Sequence, residues 1–362
     1  MQESRQTESV QWPIASPLPS PHNKLASILR CLAIAAIACF LALPSRLVAQ
    51  SPTKKFQCCW AGYILYAPGQ VPLQFPNTPF TTIEAEWVVP DATPTIDCSN
   101  PKEQLDGSSI WIGLDGWSYT YNDAPPSGAA DTDILQAGTE TDIHCKDDSH
   151  HNATAYFWIQ WDGTASIPVT PGHVTVQVPI GDLVHVRIAV DTTTSPWQQA
   201  TVYFEDKSPG GATYTTTFHS GCLYTYCSPP HNLRFASLFG NTAEWVVEST
   251  FYATQQDPGL PNTTNNFATT QMTQMSVTDI NGTVYTPGNP GTNTKPELDW
   301  MSWLGPGYPL DYDPPDHPDK GNALLACAAV ADAQTITLTR APFDVVAPGH
   351  QGALEPKPLN CN

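Results

Sequence analysis

Short segments in which apolar and polar residues alternate constrain the fold of this chain more than any other feature. The alternation is clear in residues 174–178, 184–190 and 200–204, and it recurs in 214–218 and 335–339. Successive side chains of a strand point to opposite faces, so a period of two is typical of half-buried strands. No helical period appears beyond residue 50, and Gly, Pro, Asn and Asp interrupt the segments. The sequence therefore predicts an all-β protein, a large antiparallel β-sandwich.

The amino-terminal segment has the pattern of an export signal. Lys24 and Arg30 precede an apolar stretch, 31–43, and Leu47-Val48-Ala49 supplies residues tolerated at a cleavage site. An uncleaved membrane anchor is the alternative, although the stretch is short for a span. We expect residues 1–49 to be a signal peptide with a polar lead. The mature chain would then be secreted, extracellular or periplasmic, with no stable membrane insertion after cleavage.

Cysteine usage agrees with export. Two of the ten cysteines fall in the predicted signal, and an even number in an exported chain predicts disulfides. Eight cysteines allow about a hundred complete pairings, so the sequence leaves the connectivity open. The remaining eight are Cys58, Cys59, Cys98, Cys145, Cys222, Cys227, Cys327 and Cys361.

The charge of the chain argues against polyanionic partners. Residues 51–362 hold 32 acidic against 11 basic side chains, a net charge of about −21. Such a chain repels nucleic acid and anionic membranes, so neither is an expected partner. Low pH suits the composition, because protonating carboxylates brings the net charge toward zero. Solubility at neutral pH is the alternative explanation.

Two segments contain candidate chemistry. Residues 134–138, Ile-Leu-Gln-Ala-Gly, place a neutral amide in an apolar run, and residues 243–248, Ala-Glu-Trp-Val-Val-Glu, place an acid on a Trp/Val strand. A carboxyl and an amide suit one reaction: Glu244 activates water as a general base, and the Gln136 amide stabilises the oxyanion. Two ordinary strands with solvent-facing polar residues are the alternative.

Further motifs surround these two segments in a specific order. They are Cys59-Trp60-Ala61-Gly62, Phe80–Ile83, Val88-Val89-Pro90, Ser109–Gly116 with the string Trp-Ile-Gly-Leu-Asp-Gly, and Tyr156–Trp161. With these motifs the chain resembles the eqolisins, the glutamic peptidase family of acid endopeptidases, over residues 58–285. The resemblance implies two packed, bent sheets of a lectin-like kind, with the catalytic pair on a concave face.

The resemblance also implies the roles of individual residues. Gln136 and Glu244 match the catalytic pair, and Trp60, Trp111 and Asp115 match positions that line the substrate cleft. Buried core tryptophans and an Asp-Gly turn are the alternatives for these last three. The family has a Glu where this chain has Gln160, which affects the hydrogen bonds around the pair.

The resemblance divides the chain into segments. Residues 50–285 would form the peptidase sandwich, and residues 286–362 a Pro/Gly-rich loop with carboxyl-terminal strands that complete or extend it. Little room for a propeptide remains between the signal and Trp60, so we expect a member without a long propeptide.

Two competing functions use the same features. A non-catalytic lectin-like sandwich would bind glycans through its tryptophans, and a glycosidase would use a carboxylate pair such as Glu84/Glu86 or Glu244/Glu248. The string Ala-Glu-Trp-Val-Val occurs twice, so it does not by itself identify the base; we interpret Glu86 as structural.

The remaining expectations concern partners and conditions. We expect a monomer that acts on protein or peptide substrates with no cofactor and no metal, because the spacing in 144–151 matches no zinc pattern. An isolated carboxyl that serves as base and then acid predicts greatest activity between about pH 2.5 and 5.

Overall fold

The computed structural model describes the chain in segments. They are residues 51–57, 60–69, 76–92, 105–116, 134–147, 150–161, 167–169, 175–193, 197–219, 238–249, 267, 269–302 and 324–340. These belong to the unit Ala49–Asn362. The predicted signal, the division at residue 285 and the cluster in 144–151, whose side chains lie outside the described residues, stay predictions. None of the described residues forms a helix of the length and hydropathy needed to cross a lipid bilayer.

All regular structure in the described residues is β-strand. The strands are β1 (Thr53–Gln57), β2 (Trp60–Tyr66), β3 (Phe80–Val88), β4 (Leu105–Asp115), β5 (Ile134–Asp147), β6 (His150–Trp161), β7 (Ile167–Pro168), β8 (Gln177–Val178), β9 (Leu183–Val190), β10 (Gln199–Asp206), β11 (Thr213–His219), β12 (Thr242–Ser249), β13 (Thr270–Asp279), β14 (Val284–Tyr285), β15 (Lys295–Ser302), β16 (Leu324–Asp332) and β17 (Thr335–Arg340).

Hydrogen bonds connect these strands into one sheet that folds over on itself in two layers. The first layer has the order β1-β15-β2-β12-β4-β5-β6, with β7 and β8 on the outer edge of β6. The second has the order β16-β17-β13-β3-β9-β10-β11, with β14 beside β13. The pairing of β15 with β16 joins the layers. The described pairings are antiparallel except that of β1 with β15, and the predicted all-β antiparallel sandwich is confirmed.

The core lies between the two layers and follows from the alternation. On β12 the side chains of Ala243, Trp245 and Val247 enter the core, and on β3 Ala85 and Trp87 do so from the opposite layer. A buried aromatic side chain removes about 150–250 Å² from water, a contribution of roughly 4–6 kcal/mol. The same alternation directs the even-numbered residues of β12 to the outer face of the first layer, where Glu244 lies.

Hydrogen bonds across the core fix how the layers lie against each other. The Trp87 indole donates to Thr139 Oγ1 at 2.9 Å. The Trp245 indole donates to the backbone oxygen of Glu84 at 3.1 Å. Because a buried indole N–H is costly without an acceptor, each bond favours one alignment of the layers.

The strands beyond residue 285 contribute to both layers. β15 lies between β1 and β2 in the first layer, and β16 and β17 form an edge of the second. Cys327 on β16 is disulfide-bonded. The pairing of the other cysteines stays a prediction.

Candidate active site

Gln136 and Glu244 lie on the same face of the first layer, on either side of Gly113. Strand β4 separates their strands, and the register pairs Gly113 with Glu244 on one side and with Gln136 on the other. Directly opposed residues of antiparallel strands point to the same face, and two strand spacings separate their Cα atoms by about 9–10 Å. Residues 108 positions apart in sequence therefore lie in one row across the sheet.

Gly113 lets the side chains of Trp111 and Ile134 pack over the middle of this row. A Cβ at this position would lie 2.9 Å from Cζ3 of Trp111 and 3.3 Å from Cδ1 of Ile134. The packing of Trp111 and Ile134 thus requires glycine here. Gly113 itself places no side chain between the carboxyl of Glu244 and the amide of Gln136 in this row.

The Gln136 amide is held from the side away from Glu244. Its Nε2 donates to Oε1 of Gln160, the next residue in the row, at 2.6 Å. An amide nitrogen carries two N–H groups, so one remains for another acceptor. Gln136 is 9 % exposed, and its Oε1 has no hydrogen-bond partner among the described residues. Gln160 differs from the Glu that the family has at this position, but its Oε1 is still an acceptor that orients the Gln136 amide.

Glu244 is buried among other acids. Only 2 % of the residue is exposed, and the Thr242 hydroxyl donates to its Oε1 at 3.3 Å. Burial raises the pKa of Glu244 well above its ordinary value; the Thr242 hydrogen bond lowers it, and the charges of Asp299, Asp115 and Glu248 raise it further. Glu244 therefore holds its proton more tightly than an exposed glutamate. The premise of an isolated carboxyl, from which the pH range was predicted, is wrong.

Asp115 anchors the chain just before β12. Its side chain accepts hydrogen bonds from the backbone N–H groups of Phe239 (2.5 Å), Gly240 (3.0 Å) and Asn241 (2.5 Å). Asp115 is 1 % exposed and has a φ of 63°. Burial raises its pKa to about 6, although the backbone donors lower it. These contacts position the strand that carries Glu244; the substrate-binding role implied by the resemblance stays a prediction.

Trp111 and Trp60 lie on the same face as Gln136 and Glu244. Trp111 is buried in a small cluster with Trp158 and Val246, and its indole donates to Glu248 Oε2 at 2.9 Å. Trp60 is partly exposed and packs at the edge of this cluster. Glu248 thus has a defined acceptor role on this face, which sequence reasoning left open. Substrate contact by Trp60 and Trp111 stays a prediction.

The structure adds acids that the sequence did not identify. Glu140 and Asp142 lie together on β5, and burial, with the charge of Asp142, raises the pKa of Glu140 to about 7. Glu297 and Asp299 on β15 are fully buried near Tyr66. The sequence shows that the chain is rich in acids. Only the register of the paired strands places these four side chains on the same face as Glu244.

The second copy of the repeated string has a different environment. Glu86 lies on β3 in the second layer, and Lys207 Nζ lies 2.6 Å from its Oε1. Its neighbour Glu84 contacts His185 Nε2 at 3.4 Å and accepts from Ser276. The pair Glu84/Glu86 is thus engaged in surface contacts away from Gln136.

A buried carboxyl and an oriented amide on one face of a β-sandwich make a candidate hydrolase site. The sequence matches the Peptidase A4 family over residues 59–297, about two thirds of the chain. The chain therefore belongs to the Peptidase A4 family, the eqolisins, and is a glutamic-type peptidase.

Solved structures of eqolisins are similar to this chain at low identity. Scytalido-glutamic peptidase with a peptide-based transition state analog is 15 % identical, with 79 % of this chain and all of that chain covered and a TM-score of 0.46. SCP-B, an eqolisin in a complex with the tripeptide Ala-Ile-His, is 14 % identical with the same coverage and a TM-score of 0.44. No curated protein matches this chain significantly.

Proposed function

We propose that this peptidase is an exported acid endopeptidase that cleaves denatured or loosely folded proteins with a Gln136/Glu244 dyad. The observation that carries the proposal is the row in which both side chains flank Gly113, with Gln160 holding the amide. The geometry supplies the two groups that hydrolysis needs, one that moves a proton and one that donates to an oxyanion.

The reaction begins with a water molecule between the two side chains. Ionised Glu244 takes a proton from the water molecule, and the water oxygen attacks the peptide carbonyl carbon. The free N–H of the Gln136 amide donates to the oxygen that becomes negative. Because an amide carries no charge at any pH, the donor stays the same as the medium becomes acidic.

The second half of the reaction returns the proton. The tetrahedral intermediate collapses, the C–N bond breaks, and protonated Glu244 gives its proton to the leaving amine. Burial supports this step, because a carboxyl with a raised pKa keeps the proton until the amine departs. Glu244 ends ionised, ready for the next water.

Export and the expected partners belong to the same proposal. The amino-terminal signal pattern and the disulfide at Cys327 support an oxidising, extracellular or periplasmic location. The net charge supports a protein that binds neither nucleic acid nor anionic membranes, and we propose that it acts as a monomer.

Single substitutions test the dyad. Gln136→Ala and Glu244→Gln are expected to lower kcat by at least about 10²–10³ on a denatured protein at acidic pH, with an unchanged thermal transition. Glu86→Gln is the matched control, because it alters the same string in the second layer and should leave kcat near that of the wild type. Undiminished turnover by Gln136→Ala or Glu244→Gln would reject the dyad.

A further inference from the structure

The Thr242 hydroxyl is a buried hydrogen-bond donor to the carboxyl of Glu244. The two residues lie two positions apart on β12, so both side chains point to the outer face of the first layer. Thr242 Oγ1 donates to Glu244 Oε1 at 3.3 Å, and Thr242 is 0 % exposed. Within the described residues, no second hydrogen bond to the Glu244 carboxyl is formed.

Backbone hydrogen bonds on both sides fix the chain that leads into Thr242. On the β4 side, the Asp115 carboxyl accepts from the N–H groups of Gly240 and Asn241. On the β2 side, the backbone oxygen of Asn241 accepts from the N–H of Ala67 at 2.8 Å. The position of the Thr242 backbone is therefore set by two neighbouring strands, not by β12 alone.

The side chain of Thr242 can hold the carboxyl in one orientation. A β-branched side chain is restricted at χ1, so the direction of its hydroxyl is largely fixed. The terminal torsion of a glutamate is broad, and a donor at one oxygen narrows it. Because Oε1 accepts from Thr242, Oε2 is the oxygen of Glu244 that is directed to proton exchange.

The titratable groups around Glu244 in the described residues are mostly acids, on four strands. They are Tyr66 on β2, Asp115 on β4, Glu248 on β12, and Lys295, Glu297 and Asp299 on β15. Burial and the charges of Asp299, Asp115 and Glu248 raise the pKa of Glu244. The Thr242 hydroxyl acts against them, because a donor to the ionised carboxyl lowers its pKa.

We propose that Thr242 is a positioning residue whose hydroxyl holds Oε1 of Glu244, directs proton exchange to Oε2 and stabilises the ionised base. In the first half of the reaction, an O–H bond of the water breaks, an Oε2–H bond forms, and the water oxygen attacks the carbonyl carbon. In the second half the Oε2–H bond breaks, and its proton goes to the amine nitrogen as the C–N bond breaks. The Thr242 proton stays on its own oxygen throughout. This inference rests on the proposed dyad.

The test compares Thr242→Val with Thr242→Ser on a denatured protein. Valine keeps the branched shape and removes the hydroxyl, whereas serine keeps the hydroxyl and removes the methyl group. We expect Thr242→Val to lower kcat by about 10-fold with KM near that of the wild type, because the hydroxyl acts on Glu244 and not on the substrate. Thr242→Ser should retain most of the activity.

The pH profile of kcat/KM gives a second readout. Without the donor, Glu244 is harder to ionise, so the acid limb of the Thr242→Val profile should move to higher pH by about one unit. Thr242→Ser should leave the limb in place. If Thr242→Val does not fold, Thr242→Ala, which also lacks the hydroxyl, decides by the same two readouts.

Thr270→Val is the matched control. Thr270 is also a buried threonine on a strand, but its hydroxyl donates to the backbone oxygen of Val88 at 3.5 Å in the second layer. Its substitution should lower stability and leave both kcat and the acid limb in place. A merely structural role of Thr242 would give that same unmoved limb.

The outcomes separate this inference from the dyad. A Thr242→Val profile with an unmoved acid limb, or one moved to lower pH, overturns the positioning role while Glu244→Gln remains inactive. Equal impairment of Thr242→Ser and Thr242→Val also overturns it, because the hydroxyl would then not be the group that acts. Full activity of Glu244→Gln instead overturns the dyad.

Discussion

Trp87 and Trp245 occupy the same position in two copies of the string Ala-Glu-Trp-Val-Val, and they meet the core from opposite layers. Each indole donates across the interface, Trp87 to Thr139 and Trp245 to the backbone of Glu84. Because the acid precedes each tryptophan by one residue, Glu86 and Glu244 are directed to opposite outer faces of the sandwich. Identical local sequence thus yields one surface ion pair and one buried carboxyl beside an amide.

Gly113→Ala is expected to abolish peptidase activity with a moderate loss of stability. The new Cβ would lie 2.9 Å from Cζ3 of Trp111 and 3.3 Å from Cδ1 of Ile134, so these side chains must shift in the middle of the row that holds Glu244 and Gln136. We expect kcat/KM to fall by at least about 10²-fold, since small displacements of reacting groups cost that much. Gly282→Ala is the control. Its new Cβ would meet nothing within 4 Å, and because its φ of +81° is unfavourable for alanine, the substitution should lower stability without changing kcat/KM. Wild-type kcat/KM in Gly113→Ala would show that the reaction does not depend on the packing at the middle of this row.

Gln160→Ala should lower kcat more than it raises KM. The substitution removes the acceptor that holds Gln136 Nε2 at 2.6 Å, so the amide would sample other rotamers. We expect a loss of about 10–100-fold in kcat. Gln160→Glu keeps an acceptor oxygen in place and should retain most of the activity. Equal kcat values for Gln160→Ala and the wild type would mean that Gln136 needs no such orientation.

Asp115→Asn should destabilise the fold. An amide offers one acceptor oxygen where the carboxylate offers two, and its NH₂ would face backbone donors from Phe239 to Asn241. Loss of charged hydrogen bonds of this kind costs roughly 1.5–3 kcal/mol, which urea unfolding would measure. If the variant instead kept its stability and only raised KM, Asp115 would contact substrate, as the resemblance implied.

Stability should decrease as the pH rises from about 4 to 7. Burial raises the pKa of Asp115 to about 6 and that of Glu140 to about 7, and it raises that of Glu244. In this window the native state binds more protons than the unfolded state, so the free energy of unfolding falls with pH. Glu84 acts in the opposite sense, because the hydrogen bond from His185 lowers the pKa of Glu84. The stability that Glu84 contributes is therefore lost as the pH falls below the range in which an ordinary glutamate titrates. Calorimetric Tm values at pH 4 to 8 would test this; a Tm that rises toward pH 8 contradicts it.

The profile of kcat/KM should be bell-shaped, with its acid limb above the pKa of an ordinary glutamate. Glu244 must be ionised to accept the proton of the water, and burial makes ionisation harder. We therefore expect the maximum at a higher pH than an isolated carboxyl predicts, but still below neutrality. Rates on a neutral peptide substrate, which does not titrate in this range, would measure it. A maximum above pH 7 would contradict a carboxyl base.

The sequence singled out two candidate site residues, and the structure added their surroundings. Gln136 and Glu244 were visible because each interrupts a strand that otherwise favours apolar or β-branched residues. The role of Gly113 was not visible, because the need for glycine depends on how the side chains of Trp111 and Ile134 pack over it. The same holds for Asp115, whose three backbone donors lie more than 120 residues away in the chain.

The sequence by itself determined the strands, their buried faces and the two polar side chains with candidate chemistry. These follow from local rules, since backbone geometry fixes a period of two and burial selects the apolar face. Only the tertiary structure decided which copy of the repeated string lies beside Gln136, and that β15 adds Asp299 to the surroundings of Glu244. Both depend on the register of strands distant in sequence, which the packing of the whole core selects rather than any local pattern.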